Sequence, residues 1–327
     1  MKETDIRRRK LFDNYLSTIK KDIPIYFKER GLFQAVSCPG CNSKRHRSEF
    51  KKNSFVYALC DRCGTIFVNP RPCFKQLKAF YVDSASSRYW TRKFFPPVAE
   101  ARRREIFRPR AEYIGKVLSK KNKWTVGDVG AGFGLFLEEL AKLKPSIRPV
   151  VIEPSVEMAD ICRSKGLEVI PQALEDIRGW DRRFDLLTAF ELFEHLYDPG
   201  QFLKKIGQLL RPGGYLFLTT LNGKGFDIQM FWEKSKSIFP PHHLNFFNPG
   251  SVATLLQKND FIVEEISTPG QLDWDIVEGM ILKEKIKVGR FWQLLAKSKN
   301  EQAKKALQDW IRKYQFSSHM QVLAKKK

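Results

Sequence analysis

The sequence predicts an α/β fold, in which a doubly wound parallel sheet follows a small cysteine-bearing lobe and precedes a helical tail. Short apolar runs alternate with amphipathic segments from Trp124 to about Pro269, as strands and helices do in such sheets. Two Cys-x-x-Cys pairs lie upstream, within residues 36–70. Roughly the last 50 residues are basic and have the apolar spacing of helices. These observations predict domains at 1–95, 96–270 and 271–327.

Charge is distributed unevenly along the 327 residues, whose formal net charge is +22. Residues 1–124 carry 30 basic and 11 acidic side chains, residues 125–270 carry 15 and 19, and residues 271–327 carry 13 and 6. The two basic flanks favour a polyanionic partner, such as nucleic acid, anionic lipid or a phosphorylated substrate. A solvated surface rich in Lys and Arg is the alternative. The 26 Phe and a hydrophobic content of 43% exclude wholesale disorder.

The sequence predicts a cytoplasmic protein. No stretch approaches the roughly 18 consecutive apolar residues of a membrane span, and the charged start lacks the apolar segment of a secretory signal. Six cysteines in a chain of this length do not make a disulfide framework.

The front of the chain predicts helices around two short strands. An amphipathic stretch covers 1–33, strand-like runs lie at 55–59 and 65–68, and an aromatic helical stretch covers 74–95. A helix from about 99 to 118 is predicted to be interrupted at Pro109.

The middle of the chain predicts six strands and four helices. The strands are at 124–129, 148–153, 166–170, 184–190, 214–220 and 261–267. The helices are at 133–143, 155–165, 200–210 and 250–258. Residues 221–249 interrupt this alternation, and an insertion of that length is more often a functional lid than a structureless loop.

Four cysteines have the spacing of a structural zinc site. Two residues separate Cys38 from Cys41, and Cys60 and Cys63 repeat that spacing after eighteen residues. This spacing lets one tight turn present two thiolates to the same ion, and two such turns complete a tetrahedral site. A closed site leaves no position for a substrate, so its expected role is to fold the lobe. Redox chemistry of the two pairs is the alternative.

A glycine turn follows the first predicted strand of the sheet. Gly130, Gly132 and Gly134 alternate there, which lets the backbone bend sharply and lets a ligand lie against it. Glu153 ends the next strand, where an acid can accept hydrogen bonds from both hydroxyls of a ribose. A purely structural turn is the alternative. The dinucleotide pattern requires Gly or Ala where this chain has Leu135, which disfavours NAD.

These motifs resemble those of class I S-adenosylmethionine-dependent methyltransferases. Residues 128–134, Asp-Val-Gly-Ala-Gly-Phe-Gly, match the first motif of that family, and Glu153 matches its ribose-binding acid. Residues 184–199 look like its fourth strand and the turn beyond, and 209–218 look like the entry to the fifth strand. The resemblance implies a Rossmann-like sheet and S-adenosylmethionine as cofactor.

The resemblance also implies roles for individual residues. The glycine turn, with Asp128 nearby, would cradle the methionine part of the cofactor, and Glu153 would hold the ribose. The segment 173–176 would flank the adenine, although Gln172 stands where many relatives carry an Asp. The implied cofactor-binding residues are Asp128, Gly130, Gly132, Gly134, Glu153, Leu174, Glu175, Phe190 and Glu191.

Three side chains are candidates for the proton transfer that a hydroxyl or carbon acceptor requires. His195 and Glu194 follow the fourth strand, at the edge where such sheets bind ligands, and His243 lies in the insertion. A histidine with a near-neutral pKa suits a general base. In the family a Glu-His pair often lines the active site, and a histidine commonly occupies the place of His243. A structural role for His195 and a metal site at His242 and His243 are the alternatives.

Two absent motifs narrow the acceptor. Residues 189–192 read Ala-Phe-Glu-Leu, whereas enzymes that methylate amino groups of bases usually carry Asn/Asp-Pro-Pro-Tyr/Phe there. Cytosine-carbon methyltransferases use a Pro-Cys nucleophile, and the only Pro-Cys here is at 72–73, far upstream. The leading hypothesis is therefore methyl transfer to oxygen or carbon of a small, anionic or sugar-like molecule.

The front lobe makes that hypothesis more specific and also supplies its rivals. Residues 38–81 resemble the zinc-ribbon front end of a methyltransferase subgroup that often accompanies sugar, polyketide or cell-surface polysaccharide pathways. A nucleotide-linked sugar or glycan precursor is thus one candidate acceptor. One rival is an RNA methyltransferase whose basic zinc lobe contacts phosphates. The other is a non-catalytic methyltransferase-like scaffold.

Overall fold

A mainly parallel sheet lies at the centre of the larger part of the molecule. The computed structural model describes residues 2–118 and 123–327, and within them seven strands form this sheet in the order β10-β11-β8-β7-β4-β5-β6. Their bounds are β4 (Thr125–Val129), β5 (Arg148–Ile152), β6 (Glu168–Ile170), β7 (Phe184–Phe190), β8 (Leu210–Leu221), β10 (Phe261–Ser267) and β11 (His319–Lys326). Strands β8, β7, β4, β5 and β6 are parallel, and β11 is antiparallel to both of its neighbours.

Helices cover both faces of this sheet, which confirms the predicted Rossmann-like α/β fold. On one face pack α6 (Arg108–Val117), α7 (Leu135–Leu143) and α8 (Val156–Ser164), through residues such as Ile114, Phe136 and Cys162. On the other face pack α9 (Pro199–Leu209) and α11 (Pro249–Gln257). Each fully buried Leu or Phe in these layers contributes roughly 1.5–3 kcal/mol of transfer free energy.

The C-terminal tail is only partly helical. Helices α12 (Asp273–Leu282), α13 (Arg290–Lys297) and α14 (Glu301–Lys313) agree with the prediction. The prediction is wrong for residues 319–326, which form β11 between β8 and β10. Met320, Val322 and Ala324 alternate along this strand and are fully buried in the core, so burial of one face decides its conformation.

A second sheet joins the cysteine-bearing lobe to the insertion. Among the described residues it contains four antiparallel strands: β1 (His46–Lys52), β2 (Phe55–Cys60), β3 (Ile66–Val68) and β9 (Asn245–Phe246). Strand β9 belongs to the insertion 221–249, which also contains α10 (Phe226–Phe231). Residues of both segments form one apolar cluster, in which Ile238 and Phe246 pack with Tyr57 and Val68. The insertion is therefore fixed to the lobe.

Helices surround this lobe and lead from it to the central sheet. They are α1 (Glu3–Ile6), α2 (Arg9–Tyr26), α3 (Phe74–Asp83), α4 (Ala85–Tyr89) and α5 (Ala99–Arg102). The helix predicted over 99–118 is interrupted, but by a π-helical turn at Arg103–Phe107 and not at Pro109 itself. Pro109 lies in the first turn of α6, where a missing N–H costs little. Among the described residues, no helix combines the length and the apolar character needed to cross a membrane.

Candidate functional site

The glycine turn lies at the carboxyl end of β4. Gly130, Gly132 and Gly134 have φ values of 68°, 56° and 70°, which is the left-handed region that favours glycine. Gly134 precedes α7, and a Cβ added to it would lie 2.8 Å from Cδ1 of Leu167. A Cβ added to Gly132 would meet only Met158, at 3.8 Å, so the backbone there is open to a ligand.

Glu153 lies against this turn. Its Oε2 accepts a hydrogen bond from the N–H of Gly132 at 2.9 Å, and its Oε1 accepts one from the N–H of Ser155 at 2.9 Å. Burial raises the pKa of this carboxyl, while the two backbone donors lower it. Gly132 and Glu153 are 21 residues apart in sequence. The hydrogen bond between them joins the turn and the acid into one compact polar group at the sheet edge.

Asp128 is buried beneath the turn. Oδ1 accepts a hydrogen bond from Oγ1 of Thr188 on β7 at 2.6 Å. Burial raises the pKa of Asp128 to about 7, against a smaller opposing effect of that hydrogen bond. Asp128 therefore links β4 to β7 beneath the glycine turn, and its carboxylate is not a free acceptor beside that turn.

The end of β7 carries a charged pair. Oε1 of Glu191 lies 2.7 Å from Nη2 of Arg110 on α6 and accepts a hydrogen bond from Oγ1 of Thr219 at 2.8 Å. Burial would raise the pKa of Glu191, but His319, Arg110 and the Thr219 hydroxyl hold it at about 2. The side chain of Phe190 packs under the guanidinium of Arg110, which lies 4.8 Å from the ring centroid. The sequence carried no signal for Arg110 or His319.

The structure brings together the three candidate catalytic residues. One ligand-type atom from each of Glu194, His195 and His243 lies within 4.8 Å of the others. Glu194 and His195 form a short 3-10 turn after β7, and His243 directly precedes the segment that pairs with the lobe. The N–H of Leu244 donates to the carbonyl of Glu194 at 2.8 Å, which joins the two segments. A carboxylate and two imidazoles are also a suitable donor set for a divalent cation.

The protonation of this cluster follows from its burial. Nδ1 of His243 lies 2.6 Å from the carbonyl oxygen of Ser237, which can only accept, so Nδ1 carries the proton and Nε2 a lone pair. Burial lowers the pKa of His243 well below its usual value and that of His195 to about 4. Burial and the neighbouring Glu191 raise the pKa of Glu194 to about 8, while Oγ1 of Thr220 donates to it at 2.8 Å. The cluster is thus almost uncharged at neutral pH.

Side chains of the front lobe reach this cluster, and the sequence did not identify them. The hydroxyl of Tyr81 on α3 lies 3.4 Å from Nδ1 of His195 and donates to the carbonyl of His242. The hydroxyl of Tyr57 on β2 donates to the carbonyl of His243 at 2.6 Å. His242 is itself held by Tyr15 of α2, whose hydroxyl lies 3.0 Å from Nε2. The insertion therefore covers the site as a packed wall.

The segment implied to flank the adenine follows β6. Leu174–Asp176 form a 3-10 turn, in which Leu174 is buried in the core of the sheet and Glu175 is exposed. The side chain of Leu174 thus stabilises the segment.

The four cysteines of the lobe lie together. Sγ of Cys38 lies 3.5 Å from Sγ of Cys63, and the same distance separates Cys41 from Cys60. These separations far exceed the roughly 2.05 Å of a disulfide bond and are close to the S···S edge of a tetrahedron with Zn–S bonds of about 2.3 Å. All four sulfur atoms lie within 4.8 Å of one another. The donor set therefore fits a zinc ion.

This cysteine cluster is also tied to the central sheet. Nδ2 of Asn248 donates to the carbonyl of Cys63 at 2.8 Å, and Nζ of Lys258 donates to the carbonyl of Cys41 at 2.7 Å. Asn248 caps α11 and Lys258 ends it, so the lobe is fixed to a helix of the sheet.

Methyltransferases are among the curated proteins that this chain resembles in sequence. Two curated relatives are ubiquinone biosynthesis O-methyltransferases of Xanthomonas. That of X. oryzae pv. oryzae (strain PXO99A) is 30% identical over 153 residues, which are 43% of this chain and 63% of that protein. That of X. axonopodis pv. citri (strain 306) is 29% identical over 171 residues, which are 48% of this chain and 70% of that protein. The chain thus spans less than two thirds of the first relative.

Solved structures with a similar course of the backbone are distant in sequence. Geranyl diphosphate methyltransferase in complex with S-adenosylmethionine is 13% identical, with 67% of this chain and 85% of that chain covered and a TM-score of 0.46. Coclaurine N-methyltransferase is 17% identical, with 68% and 73% covered and a TM-score of 0.46.

A family model described as a methyltransferase domain matches residues 98–266, from the residue before α5 to β10. That range is more than half of the 327 residues and contains the glycine turn, Glu153 and the Glu194-His195 pair. The chain therefore belongs to the methyltransferase-domain family.

Proposed function

We propose that this protein transfers a methyl group from S-adenosylmethionine to an oxygen or carbon atom of a small molecule, with oxygen as the first candidate. One observation carries the proposal: an intact glycine turn with its acid lies at the same sheet edge as a buried, nearly uncharged Glu-His-His cluster. The names of the curated relatives, O-methyltransferases of ubiquinone biosynthesis, support oxygen and a small acceptor.

The turn and its surroundings fit the proposed cofactor. The open backbone at Gly132 would take the methionine part, and Glu153 would accept hydrogen bonds from the ribose hydroxyls. Arg110 is buried at the edge of the sheet where the glycine turn lies, and it would attract the carboxylate of the methionine part. When bound, S-adenosylmethionine supplies an electrophilic methyl on a sulfonium, so the protein's task is alignment and proton removal.

His243 is the proposed base. Its Nδ1–H is held by the Ser237 carbonyl, which orients the ring and leaves the lone pair of Nε2 to accept the acceptor's proton. His195 and Glu194, within 4.8 Å, would orient the acceptor hydroxyl or share the proton. Burial lowers the pKa of these imidazoles, so they are neutral at neutral pH and need not first lose a proton, but they are also weaker bases than the histidine of near-neutral pKa that the sequence predicted.

We also propose that Cys38, Cys41, Cys60 and Cys63 hold a structural zinc. The sulfur separations support this, as does the closed set of four thiolates. Because Tyr57 and Tyr81 of the same lobe contact the histidine segment, the ion would stabilise the wall of the acceptor site.

The finer identity of the acceptor stays a prediction of the sequence. A nucleotide-linked sugar or glycan precursor, the RNA alternative and the non-catalytic scaffold each have a distinct outcome in one experiment. Purified protein is incubated with methyl-labelled S-adenosylmethionine and with either small-molecule extract or total RNA, and the labelled fraction is identified by mass spectrometry.

We expect label in a small molecule, on oxygen. The His243→Gln variant should lose at least about a hundredfold in rate, a typical contribution of a general base. The matched control is His46→Gln, which changes a histidine of the lobe that contacts Asn69, and it should retain activity. Label in RNA would support the RNA alternative, and cofactor binding without any labelled product would support the scaffold.

A further inference from the structure

Helix α13 exposes two large apolar side chains that the fold does not need. Phe291 and Leu294 are each 65% exposed, and their spacing of three residues places them on one face of the helix. The adjoining side of the helix supplies Leu295 and Ala296, which are buried in an apolar cluster with α12 and α14. The exposed pair is therefore left unpartnered by the packing that holds the helix.

Cations flank this pair along the sequence. The segment 283–299 contains one acid, Glu284, which is already paired with Lys236 at 2.8 Å. Within the part of the chain that the structure describes, six basic side chains of this segment are exposed and form no ion pair with a carboxylate; they are Lys283, Lys285, Lys287, Arg290, Lys297 and Lys299.

The basic N-terminal flank begins beside the same surface. Lys2 and Arg9 line one cavity together with Leu282 and Lys283, and the acids Glu3, Asp275 and Glu278 line it too. The two basic flanks of the sequence, which the proposed methyl transfer does not require, thus meet at this end of the molecule.

We propose that α13 and its basic surroundings dock the protein on an anionic lipid bilayer. A short helix with apolar side chains on its outer face and Lys and Arg around them lies in the interface of such a membrane, with the apolar groups inserted and the cations near the headgroups. Charge complementarity favours an anionic bilayer as the occupant of this surface. Six cations without an ion-pair partner would repel a basic partner and would gain no ion pair from a neutral one. Nucleic acid would satisfy the cations but leave Phe291 and Leu294 in water.

The test is co-sedimentation of the full-length protein with vesicles. One set consists of phosphatidylcholine alone and the other contains about 30% phosphatidylglycerol, a composition with the negative surface potential on which such docking depends. We expect binding to the anionic vesicles only, and weakening as salt is raised from about 50 to 500 mM because screening shortens the reach of the cations.

Three variants separate the apolar contribution, the charge contribution and general surface effects. The double variant Phe291→Ser/Leu294→Ser should bind at least about tenfold more weakly. The triple variant Lys285→Gln/Lys287→Gln/Lys297→Gln should lose about fivefold per cation. The control Val82→Ser/Leu143→Ser, which changes two other exposed apolar residues, should bind like the unchanged protein. Circular dichroism melting shows whether each variant is folded.

Several results would overturn the proposal. Equal binding to neutral and anionic vesicles would remove the role of the cations, and no binding to either would remove the docking itself. A dimer in size-exclusion chromatography that Phe291→Ser/Leu294→Ser dissociates would assign the surface to a second copy of the chain. None of these measurements depends on methyl transfer, so failure here and failure of the proposed function are distinguishable.

Discussion

Replacing Gly132 by alanine should separate cofactor binding from folding. Gly132 has φ of 56°, a conformation that costs alanine about 1 kcal/mol. The added Cβ meets only Sδ of Met158, at the ordinary contact distance of 3.8 Å. We therefore expect the free energy of unfolding to fall by only about 1 kcal/mol. The same methyl group would occupy space that the methionine part of the cofactor needs.

Two other glycines provide matched controls. Gly166 has φ of 77° and nothing within 4 Å of an added Cβ, so Gly166→Ala should cost the same backbone strain without affecting the ligand. At Gly134 the added Cβ would lie 2.8 Å from Leu167, so Gly134→Ala should lose roughly 1–3 kcal/mol more through overpacking.

The assay combines denaturant unfolding with calorimetric titration of S-adenosylmethionine. We expect Gly132→Ala and Gly166→Ala to be equally stable, and the affinity of Gly132→Ala for the cofactor to be at least about tenfold weaker. If Gly132→Ala binds the cofactor as tightly as Gly166→Ala does, the cofactor does not lie against this turn.

Three further predictions concern the lobe and the sheet. Arg71 is fully buried and donates to the carbonyl of Tyr197 at 2.5 Å and to Oδ1 of Asn245 at 3.0 Å. Arg71→Leu should therefore lower the free energy of unfolding by about 3 kcal/mol, measured by urea titration, and should also slow methyl transfer. Arg71→Lys should recover part of the stability and part of the rate. Cys41→Ser should abolish stoichiometric zinc in elemental analysis, whereas Cys73→Ser, a partly exposed cysteine outside the cluster, should retain it. Burial raises the pKa of Asp128 from 3.8 to about 7. The stability that the protonated carboxyl contributes is therefore fully present below the pKa of 3.8 and is lost as the pH rises through the folded-state pKa of about 7. Asp128→Asn cannot ionise, so its stability relative to the unchanged protein should rise by about 2 kcal/mol between about pH 5.5 and 8, measured by unfolding without cofactor; no pH dependence of the difference would contradict the buried acid.

Local patterns in the sequence predicted much of the fold. The strands of the parallel sheet, the glycine turn and the grouping of four cysteines follow from periodicity or from fixed spacing over a few residues. Such signals can be recognised in the sequence because each element carries its own pattern. The Rossmann-like fold was predictable for this reason.

Elements whose conformation depends on distant partners were not predictable. Strand β11 has a period of two over only Met320, Val322 and Ala324, and the lysines that follow resemble a solvated tail. Strand β9 has two residues and exists because it pairs with β3, about 180 residues away in sequence. The interruption of the helix over 99–118 was predicted a few residues too late, since proline can occupy the first turn of a helix as well as interrupt one.

The candidate site was only partly predictable for the same reason. Glu194 and His195 were visible because they follow a predicted strand, and His243 because the family resemblance marked it. Arg71, Tyr57 and Tyr81 were not visible, because what makes them relevant is a hydrogen bond from the lobe to Asn245, His243 and His242 of the insertion, respectively. Nonlocal polar contacts leave no periodic trace in the sequence.

Calorimetric titration with S-adenosylmethionine tests the proposed function most directly, on the unchanged protein, Glu153→Gln and Glu157→Gln. Glu153 accepts from the glycine turn, whereas Glu157 lies in the first turn of α8 and pairs with Arg92. We predict that the unchanged protein and Glu157→Gln bind the cofactor equally, and that Glu153→Gln binds it about 10- to 100-fold more weakly through lost charged hydrogen bonds. Absence of binding by the unchanged protein would contradict the assignment of this site.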